Sequence, residues 1–223
     1  MKFSKLFLKR FEWVLEGWWN HRWPKADIIY KAREDKIRFD VRNFITVPDC
    51  VLKELIKQYD LKASDDDETA WRIMRWVQQN VSYVSDSSQF GFTEHWDFPA
   101  EVLYRKRVGG GADCEGMTHL IVSLCENAGI KPYRIKVACG YVHYQGGRLA
   151  GGHSYPIYLR RSSNEWVDLD PCFYPSSTKV EDRTPAKLNK VYGEIWFTFN
   201  STLSWRQSSL EFSAKDLKEK CIK

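Results

Sequence analysis

The sequence predicts an α+β fold in which one central helix lies against an antiparallel sheet of four or more strands. Apolar residues recur at i, i+3, i+4, i+7, i+8 and i+11 from Met117 to Ala128, a broad stripe that suits a helix beneath a sheet. Three strand-like segments come next at hairpin spacing, residues 133–142, 153–159 and 165–170. The 223 residues, 43% of them hydrophobic, are enough for one core without a disulfide or metal.

Composition excludes several classes of protein. The net charge of +5 is too small to indicate a nucleic-acid-binding protein by itself, and no nucleic-acid motif is present. No uncharged apolar run approaches the ~18 residues of a membrane-spanning helix. The six cysteines form no Cys-x-x-Cys pair, and we recognise no signal peptide, so we expect a cytoplasmic, reducing location. We expect no cofactor and identify no metal ligands, and we leave calcium open, although no acidic loop has calcium-binding spacing.

The aromatic N-terminus is predicted to be an extension of the main domain. Residues 1–25 have helical apolar spacing with lysines between, which fits a helix packed on its own domain or docked on a partner or membrane surface. We expect residues 1–62 to frame or cover a cleft in a core of residues 63–207. Residues 208–223 form a polar tail with helical character.

The remaining elements are predicted from local pattern. Ser64 is a candidate cap for a helix that ends near Asn80, because an acidic run complements a helix N-terminus. Gly129 ends the central helix. The other predicted segments are a strand at 36–41, a short helix from 48 to 56, an extended stretch at 81–84, an aromatic loop at 86–99, a loop-like region at 172–193 and a strand at 195–199.

Cys114 is the strongest candidate for a nucleophile. It comes shortly after Gly109, Gly110 and Gly111 and lies in the first turn of the central helix. Helix N-terminal amides and the helix dipole favour an anion there, which predicts a lowered thiol pKa. Cys125 and Cys139 fall within apolar patterns instead and fit buried packing positions.

A cysteine nucleophile needs a base and a group that orients the base. His153 begins the second predicted strand, and Asp170 ends the third. If the turn between these strands centres between Arg161 and Ser163, His153 and Asp170 lie opposite or nearly so, within side-chain reach. This spacing predicts a triad in which Asp170 holds the His153 imidazole in one tautomer beside Cys114.

The ordered pattern over residues 68–175 resembles the transglutaminase-like superfamily of cysteine enzymes. Its parts are the helix from Glu68 to Asn80, Trp96-Asp-Phe-Pro-Ala-Glu-Val-Leu, Ala112-Asp-Cys-Glu, Gly152-His-Ser and Trp166-Val-Asp-Leu-Asp-Pro. The resemblance implies a papain-like fold, with Cys114 as nucleophile and His153 and Asp170 as its partners. The chain departs from the family pattern at Ala112, where glycine is usual, at Gly116, where an acidic residue is common, and at Tyr155, where tryptophan is common.

Further site residues are less specifically indicated. The backbone N–H of Cys114 is the first candidate oxyanion donor. A second donor has to come from upstream, where Gln79, Gln89 and Trp96 are available. Trp96 either lines the site or packs in the core, and Asp113 either orders the glycine loop or caps the helix.

These residues predict thiolate attack on an amide carbonyl and a thioester acyl-enzyme. Water as second nucleophile gives a peptidase or amidase acting on a protein or peptide. We favour this reaction because the family's cross-linking members carry extra β-domains and calcium sites, for which 223 residues leave no room. A lysine amine gives the alternative, a transglutaminase. A catalytically silent binding scaffold is a further alternative. A zinc site from Cys114, His119, Cys139 or His143 and a nucleic-acid role have weaker support.

Overall fold

The computed structural model describes residues 12, 14–18, 20–21, 24–32, 37–91 and 94–206. The predicted tail at 208–223 and most of the predicted N-terminal helix lie outside these ranges. The strands are β1 (Ile29–Ala32), β2 (Ile37–Asp40), β3 (Ser82–Tyr83), β4 (Gly111–Ala112), β5 (Ile135–His143), β6 (Leu149–Leu159), β7 (Trp166–Asp168), β8 (Tyr192–Phe199) and β9 (Ser204–Arg206). The α-helices are α1 (Cys50–Gln58), α2 (Asp66–Asn80), α3 (Asp86–Phe90), α4 (Pro99–Arg107) and α5 (Cys114–Asn127).

The predicted α+β architecture is confirmed. Five antiparallel strands form the main sheet in the order β7-β6-β5-β8-β9. Helix α5 contacts β5 and β6, and α1, α2 and α4 contact α5. The central helix is therefore covered by the sheet and by other helices, as its broad apolar stripe requires.

Helix α5 begins and ends where the sequence predicts. Asp113 caps it by accepting a hydrogen bond from the backbone N–H of Gly116 at 3.4 Å. Leu120, Ile121 and Leu124 are fully buried. Gly129 comes after the helix with a φ of +100°, a left-handed conformation that favours glycine.

The parallel pair β3–β4 fixes the chain just before α5. Ser82 pairs with Gly111, and Val84 N–H donates to the carbonyl of Ala112 at 3.1 Å. A Cβ on Gly111 would lie 2.1 Å from the carbonyl oxygen of Ser82, so only glycine allows this close approach. Because β4 leads directly into α5, this pair sets the position of the helix N-terminus.

Several predicted boundaries were wrong. Helix α2 is capped by Asp65, whose Oδ2 accepts from Glu68 N–H at 3.1 Å, and not by Ser64. The predicted aromatic loop contains helix α3, which Gly91 ends at a φ of +75°. Strand β6 begins at Leu149, so His153 lies within the strand and not at its start.

The described part of the N-terminal segment packs on the domain. Residues 14–18 are helical. Glu12 pairs with Arg134 at 3.3 Å and with Arg161 at 3.2 Å, and the Trp205 indole donates to the carbonyl of Asn20 at 3.1 Å. Over the described ranges, no helix has both the length and the apolar character needed to cross a membrane.

Candidate active site

The pairing of β6 with β7 brings His153 and Asp170 together. Ile157 pairs with Asp168, which places Asp170, two residues beyond β7, on the same side as His153. Nε2 of His153 lies 2.8 Å from Oδ2 of Asp170, and both residues are buried. The spacing argument from the sequence predicted this contact.

Asp170 accepts hydrogen bonds at both carboxylate oxygens. Tyr192 Oη donates to Oδ2 at 2.9 Å, and the backbone N–H groups of Cys172 and Phe173 donate to Oδ1 at 2.9 and 3.2 Å. Burial by itself would raise the pKa of Asp170, but the charge of His153 and these donors lower it to about 2. An ionised Asp170 holds the ring proton on Nε2 of His153, so Nδ1 is the nitrogen that accepts a proton.

Cys114 is the first residue of α5, which packs against β6. The backbone N–H of Ser154, the residue after His153, acts to lower the pKa of the Cys114 thiol. Thr118 Oγ1 donates to the carbonyl of Ser154 at 3.1 Å and ties the same helix to the same strand. The thiol also donates to Oε2 of Glu115 at 3.0 Å.

The electrostatics of Cys114 differ from the expectation. Burial of the thiol raises the pKa of Cys114 well above its ordinary value, and the carboxylates of Glu115 and Asp113 raise it further. The sequence predicted a lowered pKa from the helix dipole, whereas burial and the two carboxylates act in the opposite direction. A thiolate at this position therefore needs a positive charge beside it, such as the imidazolium of His153.

Two of the other predicted site residues, Trp96 and Asp113, have a packing role and a capping role in the fold. Trp96 is 3% exposed, stacks on Tyr30 with ring centroids 5.0 Å apart, and donates through Nε1 to Glu94 at 2.7 Å. This is the core-packing role left open by the sequence. Asp113 is the cap of α5, which was the other role open to that residue.

The two glutamines predicted as candidate oxyanion donors, Gln79 and Gln89, lie in different parts of the fold. Gln79 is exposed in the last turn of α2. The side-chain amide of Gln89 hydrogen-bonds to the backbone of Gly111 in either orientation of its oxygen and nitrogen. Gln89 therefore supports β4, the strand that precedes Cys114.

Sequence reasoning predicted that the aromatic residues of 83–98 form a groove wall, but it missed Phe173 and Tyr144. The Phe173 ring lies 5.5 Å from the His153 ring, and Tyr144 lies 6.1 Å from Phe173. Tyr83, on the strand paired with β4, is 58% exposed. Their positions depend on long-range pairing, which local spacing does not reveal.

Potential metal ligands form two groups at the site. Asp113, Cys114 and Glu115 form one, and His153, Asp170 and Cys172 form the other. Within each group, one ligand atom per residue lies within 4.8 Å of the others.

Solved structures of LapG from Legionella pneumophila are similar in fold to this chain. The EGTA-treated form is 17% identical, covers 75% of this chain and 90% of its own, and has a TM-score of 0.50. A second structure is 15% identical, covers 70% of this chain and 86% of its own, with a TM-score of 0.51. A calcium-bound form is 15% identical, covers 75% and 96%, and has a TM-score of 0.44.

Sequence comparison identifies the family. A search of curated protein sequences finds no match. Residues 53–171, more than half of the chain, match the family model described as the transglutaminase-like superfamily. That range contains α5 with Cys114, strand β6 with His153, and Asp170. The chain therefore belongs to the transglutaminase-like superfamily.

Proposed function

We propose that this protein is a cysteine-dependent peptidase or amidase that cleaves a protein or peptide through a thioester on Cys114. The observation that carries the proposal is the buried His153–Asp170 hydrogen bond of 2.8 Å. It involves the strand whose next residue, Ser154, is tied to the Cys114 helix by the hydrogen bond from Thr118 and acts to lower the pKa of the Cys114 thiol. A nucleophile, a base and an orienting carboxylate are thus available on three adjoining elements.

The positions of the protons define the reaction. Nδ1 of His153 takes the proton of the Cys114 thiol, and the thiolate attacks the substrate carbonyl carbon. The backbone N–H of Cys114 stabilises the oxyanion. The C–N bond breaks as His153 returns its proton to the leaving amine, which gives the thioester. His153 then takes a proton from water, and the hydroxide equivalent releases the acid and restores the thiol.

The alternatives differ in the fate of the thioester. A lysine amine in place of water gives the transglutaminase reaction with the same three residues. A silent scaffold has no need for an ionised aspartate buried against a histidine, because burying such a charge is costly. The intact His153–Asp170 contact therefore favours an enzyme.

The test uses denatured casein as substrate. We expect new peptide N-termini by mass spectrometry, with loss of cleavage in Cys114→Ala and His153→Ala and retention in Cys50→Ala, which removes an exposed thiol. Incorporation of a labelled primary amine without new N-termini would indicate the transglutaminase instead. Cleavage that persists in Cys114→Ala would overturn the proposal.

The carboxylates beside Cys114 support a further part of the proposal, that a calcium ion binds there. Asp113 and Glu115 are 8% and 9% exposed, each offers a carboxylate oxygen within 4.8 Å of the other, and Asp86 adds negative charge. Burial raises the pKa of Asp113 well above its ordinary value, as does the charge of Glu115. Calcium takes carboxylate oxygens as ligands and would offset this repulsion.

Thermal denaturation tests calcium binding. We expect calcium to raise the Tm relative to EGTA, and we expect Asp113→Asn to abolish the rise, although asparagine still caps a helix. The exposed Glu181→Gln is the matched control. An equal rise in Asp113→Asn would contradict calcium binding at this position.

A further inference from the structure

We propose that a zinc ion binds to His153, Asp170 and Cys172 and switches off the triad. The inhibitory consequence rests on the proposed function, whereas the metal site itself does not. The site is distinct from the carboxylate pair beside Cys114, since it uses one nitrogen, one oxygen and one sulfur ligand.

The three side chains already converge on one point. The Cys172 thiol donates to Oδ1 of Asp170 at 3.4 Å, while Nε2 of His153 lies 2.8 Å from Oδ2 of the same carboxylate. One ligand atom of each residue lies within 4.8 Å of the other two. Tetrahedral zinc with bonds of about 2.0–2.3 Å holds its ligand atoms roughly 3.3–3.8 Å apart. The group therefore needs shifts of about 1 Å or less to close around the ion.

The donor set selects the kind of metal. Thiolate and imidazole suit zinc, whereas calcium and magnesium prefer sites made of oxygen ligands. The Asp170 carboxylate and a Cys172 thiolate balance the two charges of the ion. Binding releases the Cys172 thiol proton to solvent and moves the His153 ring proton from Nε2 to Nδ1.

That movement of the ring proton explains inhibition. In the catalytic tautomer Nδ1 of His153 is the nitrogen that accepts the proton of Cys114. With zinc on Nε2, Nδ1 carries the ring proton and cannot act as a base. The ion also removes Asp170 from its orienting hydrogen bond. Cys172 is the partly exposed member of the group, whereas His153 and Asp170 are buried, so an ion would enter on the Cys172 side.

Cobalt absorption tests binding without any substrate. The protein carries Cys114→Ser, so that a thiolate-to-cobalt charge-transfer band has to come from another cysteine, and calcium is present throughout. We expect a band that saturates at one cobalt per chain and that zinc displaces. Adding Cys172→Ser should abolish the band, and adding Cys50→Ser, which removes an exposed thiol, should not. A band that survives Cys172→Ser, or no band at saturation, would overturn the site.

A second readout needs no substitution. Zinc should slow alkylation of Cys172 by iodoacetamide at least tenfold in the unmodified protein and leave Cys50 unaffected, as measured by peptide mass spectrometry. Equal rates for Cys172 with and without zinc would count against the site.

Activity measurements test the inhibitory role. The zinc concentration that halves casein cleavage should rise at least tenfold in Cys172→Ser, with each protein compared to its own zinc-free rate. Equal zinc sensitivity in the two proteins would refute inhibition through this group. If no cleavage is found at all, the proposed function fails, whereas the cobalt and alkylation results still decide the metal site.

Discussion

Asp170 organises the candidate site at the scale of single residues. Its two oxygens accept from one imidazole, one phenol and two backbone amides. Each of these donors favours the ionised carboxylate, which explains why its pKa falls to about 2 despite burial. Tyr192 is the donor that comes from furthest along the chain, and its hydroxyl lies on the same oxygen as His153.

Tyr192 is expected to act as a positioning residue. Tyr192→Phe removes the 2.9 Å hydrogen bond to Asp170 and leaves the His153 contact in place. A hydrogen bond to a charged group contributes about 1.5–3 kcal/mol, and about 1.4 kcal/mol is tenfold in rate, so we expect kcat to fall by about ten- to a hundredfold with KM nearly unchanged. Steady-state kinetics check this, with Tyr174→Phe as control because the Tyr174 hydroxyl donates to the carbonyl of His143. A fall that occurs only in KM, or one that is equal in the control, would argue against positioning.

The sequence predicts the contact between His153 and Asp170 well and the surroundings of that contact poorly. Three residues stand out because each lies at the end of an element that the sequence pattern predicts: Cys114 at the start of a helix, and His153 and Asp170 at the ends of two strands. Tyr192 is the first residue of β8, whereas the sequence predicts that this strand begins only at Ile195. Its contact with Asp170 depends on how the 172–191 region folds back, and no local period encodes that path.

At the scale of elements, the β3–β4 pair controls where the nucleophile lies. Gly111→Ala would place a Cβ 2.1 Å from the carbonyl oxygen of Ser82 and 2.8 Å from Val84, so the two short strands have to separate. We expect a loss of about 1–3 kcal/mol in the free energy of unfolding and a lower rate of Cys114 acylation. Chemical denaturation measures the first effect, and labelling of Cys114 the second.

Gly110→Ala is the matched control for this substitution. A Cβ at Gly110 would meet its nearest neighbour, on Arg105, at an ordinary 3.4 Å. The variant should therefore keep most of the stability and reactivity. Equal stability of the two variants would show that the close approach of β3 and β4 is not required.

Element boundaries show where local patterns lose information. In the run Ser64-Asp-Asp-Asp, adjacent residues are all good helix caps, so sequence alone does not choose Asp65. Gly151 and Gly152 indicate a turn, yet a register shift near Val142 accommodates them within the β5–β6 hairpin. Helix α3 is only five residues long and carries too little periodicity to predict.

At the scale of the whole molecule, buried carboxylic acids make stability depend on pH. Burial raises the pKa of Glu126 to about 7, although hydrogen bonds from Ser201 lower that pKa in part. The folded chain keeps a proton that the unfolded chain loses above about pH 4.3. The protonated Glu126 therefore stabilises the folded chain fully below about pH 4.3, and this stabilisation is lost as the pH rises through about 7.

Glu126→Gln should remove this dependence. Between about pH 5 and 8 the unmodified protein should lose up to about 3 kcal/mol of unfolding free energy relative to the variant. Denaturant titrations at several pH values check the difference, with the exposed Glu181→Gln as control. Parallel pH profiles for the unmodified protein and Glu126→Gln would contradict the assignment.

The proposed mechanism depends on activation of Cys114 by His153, and alkylation at about pH 6 measures that activation. An ordinary thiol with a pKa near 8.5 is roughly 0.3% ionised at that pH. Iodoacetamide rates for each cysteine, read by peptide mass spectrometry, should show Cys114 reacting at least tenfold faster than the exposed Cys50. That advantage should vanish in His153→Ala. If Cys114 reacts no faster than Cys50, or keeps its rate without His153, then His153 does not activate the nucleophile and the proposed triad is wrong.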